Sequence, residues 1–193
     1  MDAMAQSAVT VREHLLWLDI TLNHTDKLAA AVPENLLDWR PADPSGKFSF
    51  SLAEIIMHVA DARLMFSATL TGEEVAKDYW TTSETGPGDD GVWPFREYGS
   101  KQALLDSLKT ARAKYDAFID QPYTALFDVP EGAKQAFEQQ LKAMREYEID
   151  TAGAEKRGPA NVLRVLMGLV AHEAGHRGSL LTLLRQHGVN LEE

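Results

Sequence analysis

Two histidines lie four residues apart near the C-terminal end of the chain, in the segment HEAGH. Residues at this spacing share one face of a helix and their Cα atoms are about 6 Å apart, so His172 and His176 can bind one ion together. Their face continues through apolar residues that include Val165, Leu169 and Leu180. This pattern predicts that both imidazoles turn toward the interior of the protein.

A third histidine, His58, lies on the apolar side of a second predicted helix. A single buried histidine is more often a hydrogen-bonded core residue than a metal ligand. Three buried imidazoles without a shared partner, however, would each cost about 1–3 kcal/mol in desolvation. We therefore predict that His58, His172 and His176 bind one divalent metal ion. Nitrogen ligands suit several transition metals, and three of them leave coordination positions open, as in catalytic centres.

The HEAGH segment also matches the H-E-x-x-H signature of zinc metalloproteases, in which the glutamate is a general base. The extended protease pattern requires glycine and histidine where this chain has Ser179 and Thr182. No strand is predicted beside the helix to bind an extended peptide. A protease is therefore the least favoured alternative, and we expect Glu173 either to support the metal ligands from behind or to face solvent.

Other charged residues lie close to the histidines along the helices. Asp61 follows His58 by three residues and Glu54 precedes it by four. Each carboxylate is a candidate to orient the second ring nitrogen of His58, and the alternative for each is an ordinary helix-surface position. Arg177 is a candidate for binding an anionic substrate group, with a place at the helix flank as the alternative. The sequence assigns no catalytic residue.

The elements that must position these residues are helices. Apolar residues recur at three- and four-residue steps from Ser7 to Ala31, from Ser51 to Gly72, from Ser100 to Ile119, and from near Pro159 to Gly188. No strand is predicted. The pattern favours an all-α protein, an antiparallel four-helix bundle formed by one domain over residues 1–193. An extra helix or lid is predicted between the third and last helices, over residues 120–158.

Two local features refine this architecture. Ser51 and Glu54 match the capping-box pattern at the start of the second helix. Residues 73–99 have no helical period but several aromatic residues, which predicts an ordered loop that packs on the bundle. The tryptophans Trp39, Trp80 and Trp93 either line the mouth of a pocket or pin their loops to the core, and pinning is the more frequent role.

The composition limits the classes of partner. A net charge of −10 and a pI of about 5.0, without a dense basic run, disfavour nucleic-acid binding. No apolar stretch approaches the roughly 20 residues of a membrane span, and the N-terminus lacks a signal-peptide pattern, so we expect no membrane partner and a cytoplasmic location. The chain has no cysteine. Any thiol chemistry must therefore use a thiol that the substrate brings.

Three motifs together resemble the DinB/YfiT-like family of metalloenzymes. They are LLDWRP at residues 36–41, SLAEIIMHVADAR around His58, and HEAGHRGSLLTLLRQHGV from His172 onward. The resemblance spans most of the chain, in the order and approximate spacing of that family. The long stretch over residues 120–158 departs from the short family pattern.

This resemblance implies a four-helix bundle, often a homodimer, with a metal site at His58, His172 and His176. The implied cofactor is nickel or zinc, with iron as a further candidate. Relatives include thiol transferases and isomerases that use small thiols such as bacillithiol or mycothiol. We therefore expect a metal-dependent enzyme that acts on a small molecule, as a thiol (S-)transferase or a hydrolase. The alternative is a non-catalytic metal-binding or interaction bundle.

Overall fold

A computed structural model describes residues 16–42, 49–71, 80, 95–120, 162–189 and 191. These residues form four α-helices and no β-strand: α1 (Leu16–Ala31), α2 (Leu52–Thr71), α3 (Lys101–Ile119) and α4 (Val162–Gln186). The predicted all-α four-helix fold is confirmed. The parts of the first and last predicted helices before residues 16 and 162 lie outside the described residues. So do most of the predicted loop over residues 73–99, with Trp93, and, except for Asp120, the predicted lid over residues 120–158.

The directions of the helices follow from two apolar clusters, one at each end of the bundle. The first joins the start of α1, the ends of α2 and α3, and the start of α4, with Leu18, Leu70, Ile119 and Val165 among its members. The second joins the opposite ends of the same helices, with Leu28, Leu52, Leu104 and Leu184 among its members. Hence α1 and α4 run in one direction, and α2 and α3 run in the other. The helix α4 packs on its parallel neighbour α1 and on the antiparallel α2.

The start of α2 is fixed by two sets of hydrogen bonds. The Ser51 N–H donates to Glu54 Oε2 at 2.7 Å, and the Glu54 N–H donates to Ser51 Oγ at 3.2 Å, so the predicted capping box is confirmed. The backbone N–H groups of Leu52 and Ala53 donate to the carbonyls of Trp39 and Leu37, respectively. The LLDWRP segment thus supplies acceptors for the first turn of the helix that carries His58.

Aromatic residues attach the connecting segments to the core. Trp39 and Trp80 pack against the second apolar cluster, together with Phe95 and Tyr98. The ring of Trp39 also meets His187 edge to face, with centroids 4.3 Å apart. For Trp39 and Trp80, these contacts favour pinning of the loops. No helix among the described residues is both long enough and apolar enough to span a membrane.

Candidate metal centre

The structure brings the three predicted ligands together in the seam between α2 and α4. The Nε2 atoms of His58 and His172 lie 2.9 Å apart. One nitrogen from each of His58, His172 and His176 lies within 4.8 Å of the other two. Two antiparallel helices therefore supply a convergent set of three imidazoles, one from α2 and two from α4.

The convergence follows from how α4 is anchored on both sides of its histidines. Leu169 belongs to the first apolar cluster and Leu180 to the second, and both are fully buried. These two anchors turn this side of α4 toward the interior of the bundle. The four-residue spacing then places His172 and His176 on one face of the helix, as the sequence predicts.

Burial keeps the three imidazoles neutral. Burial and the nearby His176 lower the pKa of His58 to about 4. Burial lowers the pKa of His172 to about 3, with smaller contributions from His176 and His58. Burial also lowers the pKa of His176. A neutral imidazole has a free lone pair, so all three side chains are in the protonation state that metal binding requires.

The donor set fits a divalent metal ion. Imidazoles bound to one ion at about 2.1 Å hold their nitrogens about 3.0 Å apart at octahedral angles and about 3.4 Å apart at tetrahedral angles, and the 2.9 Å between His58 and His172 is close to the first of these distances. The Nδ1 atom of His172 is buried and has no hydrogen-bond partner among the described residues. The described residues add no carboxylate to the group, so three ligands would leave positions open for water or substrate.

Aromatic rings line one side of the centre. Phe50 stacks on His58, with ring centroids 5.4 Å apart and planes 19° apart, and meets His176 edge to face. Phe95 packs against Phe50 in turn. Phe50 was not predicted as part of the site, although it lies directly before the capping residue Ser51, at the start of α2. Phe50 therefore covers one face of the His58 ring and lies against the ring of His176.

Glu173, the second residue of the HEAGH segment, does not face solvent. Its side chain is fully buried and forms two hydrogen bonds with Arg63, from Nε at 2.6 Å and from Nη2 at 3.3 Å. Of the two alternatives predicted for Glu173, the solvent-facing one is therefore wrong. Because a carboxylate held by two charged hydrogen bonds is not free to take a proton from water, this geometry also opposes the protease alternative.

Arg63 is a second residue near the centre that was not predicted from the sequence. It also donates to Asp26 Oδ1 at 2.6 Å and to the Leu22 carbonyl at 3.3 Å, both on α1. Burial alone would lower the pKa of Arg63, but the carboxylates of Glu173 and Asp26 raise it above its ordinary value, so the guanidinium stays charged.

A signal for this pair is present in the sequence. Glu173 lies at helical spacing from Leu166, Leu169 and Leu180, the most deeply buried positions of α4. Arg63 lies in the same way between Val59 and Phe66 on α2. A charged residue in the middle of each apolar stripe indicates that the two charges meet inside the bundle.

The remaining candidates take other positions. Asp61 is buried and accepts a hydrogen bond from the Trp80 backbone N–H at 2.9 Å, so the helix-surface alternative is wrong for it. Glu54 binds the Ser51 N–H and the Arg40 guanidinium, which assigns it to the capping of α2. Arg177 lies at the flank of α4, with its Nη1 3.4 Å from the ring of His24.

The family comparison agrees with this architecture. The family model of the DinB superfamily matches residues 18–180, which include the three histidines and most of all four helices. This chain belongs to the DinB superfamily. No curated protein and no solved structure matches the chain significantly. Membership of the DinB superfamily therefore supports the bundle and its histidine site, while the reaction has to be argued from the residues.

Proposed function

We propose that this DinB superfamily protein is a divalent-metal-dependent enzyme that acts on a small molecule, as an S-transferase that uses a low-molecular-weight thiol or as a hydrolase. The observation that supports this proposal is the convergence of three neutral imidazoles, with ligand nitrogens within 4.8 Å of one another. Structural metal sites in proteins are closed by four protein ligands, whereas catalytic sites keep a position for water or substrate. Three histidines without a carboxylate in the described group match the catalytic type.

Each group of the centre has a role in this proposal. His58, His172 and His176 would hold the ion, with nickel or zinc as the first candidates and iron as the next. A bound ion supplies Lewis acidity, which lowers the pKa of a water molecule or a thiol near it. The chain contains no cysteine, so a reacting thiol would come from solution. Phe50 would exclude bulk water from the side of His58 that it covers.

Metal content is the first test. Protein purified without chelator and without nickel affinity resin is expected to carry about one divalent ion per chain, as three ligands on one ion require. The variant His58→Ala should lose this ion and the rise in melting temperature on adding nickel or zinc. His24→Ala is the matched control, because His24 is an exposed histidine outside the group. The site would be abandoned if the wild-type protein carried no metal and gained no thermal stability from it.

Turnover is the second test, and it distinguishes an enzyme from a binding module. The metal-loaded protein is assayed with electrophiles in the presence of bacillithiol, mycothiol or glutathione, and with a panel of ester and amide substrates. Activity that His176→Ala abolishes supports the proposal. Stoichiometric metal binding without turnover over both panels would instead support the non-catalytic metal-binding bundle.

A further inference from the structure

We propose that Arg63 and Glu173 are positioning residues of the metal centre, and that their buried ion pair sets the register between α2 and α4 that makes the three imidazoles converge. This inference rests on the proposed function, because it concerns the geometry of the same metal site. It assigns to the glutamate of HEAGH a role other than that of a general base.

The pair links the same two helices as the metal ligands do. Arg63 follows His58 by five residues on α2, and Glu173 is adjacent to His172 on α4. At 1.5 Å of rise per residue, the ion pair and the histidine contact are about 8 Å apart along α2. Along α4, His172 and Glu173 are only about 1.5 Å apart but point about 100° apart around the helix, so the two links hold α4 on different sides and together restrict its sliding and its rotation against α2.

Apolar packing alone would leave this register less defined. Hydrophobic contacts are non-directional, so neighbouring helices can shift while they keep most of their buried area. The guanidinium of Arg63, in contrast, presents a planar fork of donors that matches both oxygens of one carboxylate. The hydrogen bonds of 2.6 Å and 3.3 Å to Glu173 are made in one arrangement of the two helices.

Stability is a weak explanation for the pair. The side chains of Arg63 and Glu173 are both 0% exposed. Replacing such a buried pair by apolar residues of similar volume is often neutral or stabilising, because the desolvation of both charges offsets their attraction. The specific contribution of the pair is therefore geometric.

The hydrogen bonds of Arg63 also reach a third helix, α1. Arg63 reaches α1 through Asp26 and the Leu22 carbonyl, so α1 is placed relative to both ligand-bearing helices. Arg63, Glu173 and Asp26 together carry one positive and two negative charges. The cluster therefore does not repel a divalent cation in the neighbouring site, as a lone buried guanidinium would.

The test is a double variant that removes the pair without leaving a buried charge of either sign unpaired. Arg63→Met with Glu173→Leu should fold and melt at or above the wild-type temperature. Its affinity for Zn²⁺ and Ni²⁺, measured by competition with a chelating dye, should fall by about 10–100-fold, as is typical when groups that orient metal ligands are lost. At saturating Co²⁺, its visible absorption spectrum should differ from that of the wild type, which a merely structural role would not cause.

A matched control removes an ion pair of the same type elsewhere in the bundle. Arg112 of α3 pairs with Asp19 of α1, and neither helix carries a metal ligand. Arg112 Nη1 also lies 4.0 Å from Asp26 Oδ2, but Arg63 keeps its shorter bonds to Asp26 and Glu173 without Arg112. Arg112→Met with Asp19→Leu should therefore leave both metal affinity and the Co²⁺ spectrum unchanged.

The outcomes are distinguishable. Wild-type protein that binds no metal overturns the proposed function and this inference with it. Wild-type binding with unchanged affinity and Co²⁺ spectrum in the folded Arg63→Met, Glu173→Leu variant overturns the inference alone. If that variant does not fold, Glu173→Asp keeps both charges and shortens the carboxylate by one methylene. It should bind Zn²⁺ more weakly than the wild type, and equal affinity there overturns the inference.

Discussion

Two seams of this bundle contain arginine–carboxylate pairs, and they differ in their access to water. In the α2–α4 seam, Arg63 and Glu173 are both fully buried. Between α1 and α3, Arg112 and its partner Asp19 keep 12% and 22% of their side chains exposed, and Arg112 also binds Asp116 of its own helix. Water screens the second pair and can replace either partner, whereas nothing replaces a lost partner in the first. His58, His172 and His176 lie in the α2–α4 seam, where a buried polar group cannot exchange a protein partner for water.

Removing the arginine of each pair should give the largest difference in stability between the two seams. Arg63→Met leaves Glu173 buried without its cation and is expected to lower the free energy of unfolding by about 3–5 kcal/mol. Arg112→Met is expected to cost about 0–1 kcal/mol, because its carboxylates remain in contact with water. Urea denaturation of both variants measures the difference. Equal losses would show that the burial of the first pair has no energetic consequence.

Acidification should destabilise the metal-free protein through the histidines of the α2–α4 seam. The folded state holds the pKa of His172 at about 3, whereas histidine in the unfolded chain has its ordinary pKa of 6.5. Between these values the unfolded state binds more protons, so stability is complete above about pH 6.5 and is lost as the pH falls toward 3. One such histidine contributes about 1.4 kcal/mol per pH unit within this range.

This pH effect is measured by urea denaturation at pH 7 and pH 5 in the presence of a chelator. The variant His172→Phe should lose less stability than the wild type over the same interval, since it removes one of the three groups. An unfolding free energy of the wild type that does not change between pH 7 and pH 5 would contradict the lowered pKa values.

Two glycines of α4 should show the smallest difference. A Cβ atom at Gly178 would meet nothing within 4 Å, so Gly178→Ala should stabilise the protein by about 0.5–1 kcal/mol through its higher helix propensity. At Gly168, in the seam with α2, a Cβ atom would lie 3.2 Å from the ring of Phe66. Gly168→Ala should therefore gain less or lose stability. Equal melting temperatures of the two variants would indicate that the seam has room for a methyl group.

The site was predictable as far as it depends on residues close in the sequence. The spacing of His172 and His176 and the capping box at Ser51 are properties of single helices, and both patterns have the predicted outcome in the structure. Arg63 and Glu173 are 110 residues apart. The charge of each within an apolar stripe indicates burial, but no local pattern identifies the partner. No partner was therefore predicted for Glu173.

The sequence by itself determined the four helices, their apolar faces and the inward turn of the three histidines, because each depends on the helical period and on capping within a few residues. Only the tertiary structure decided that α1 runs parallel to α4 and α2 antiparallel to it, and that His58 meets His172 rather than a carboxylate. Apolar faces cause helices to pack together, but they do not by themselves define the height or the direction of one helix relative to another. Both also depend on directional contacts between distant residues, and the buried pair of Arg63 and Glu173 is one such contact.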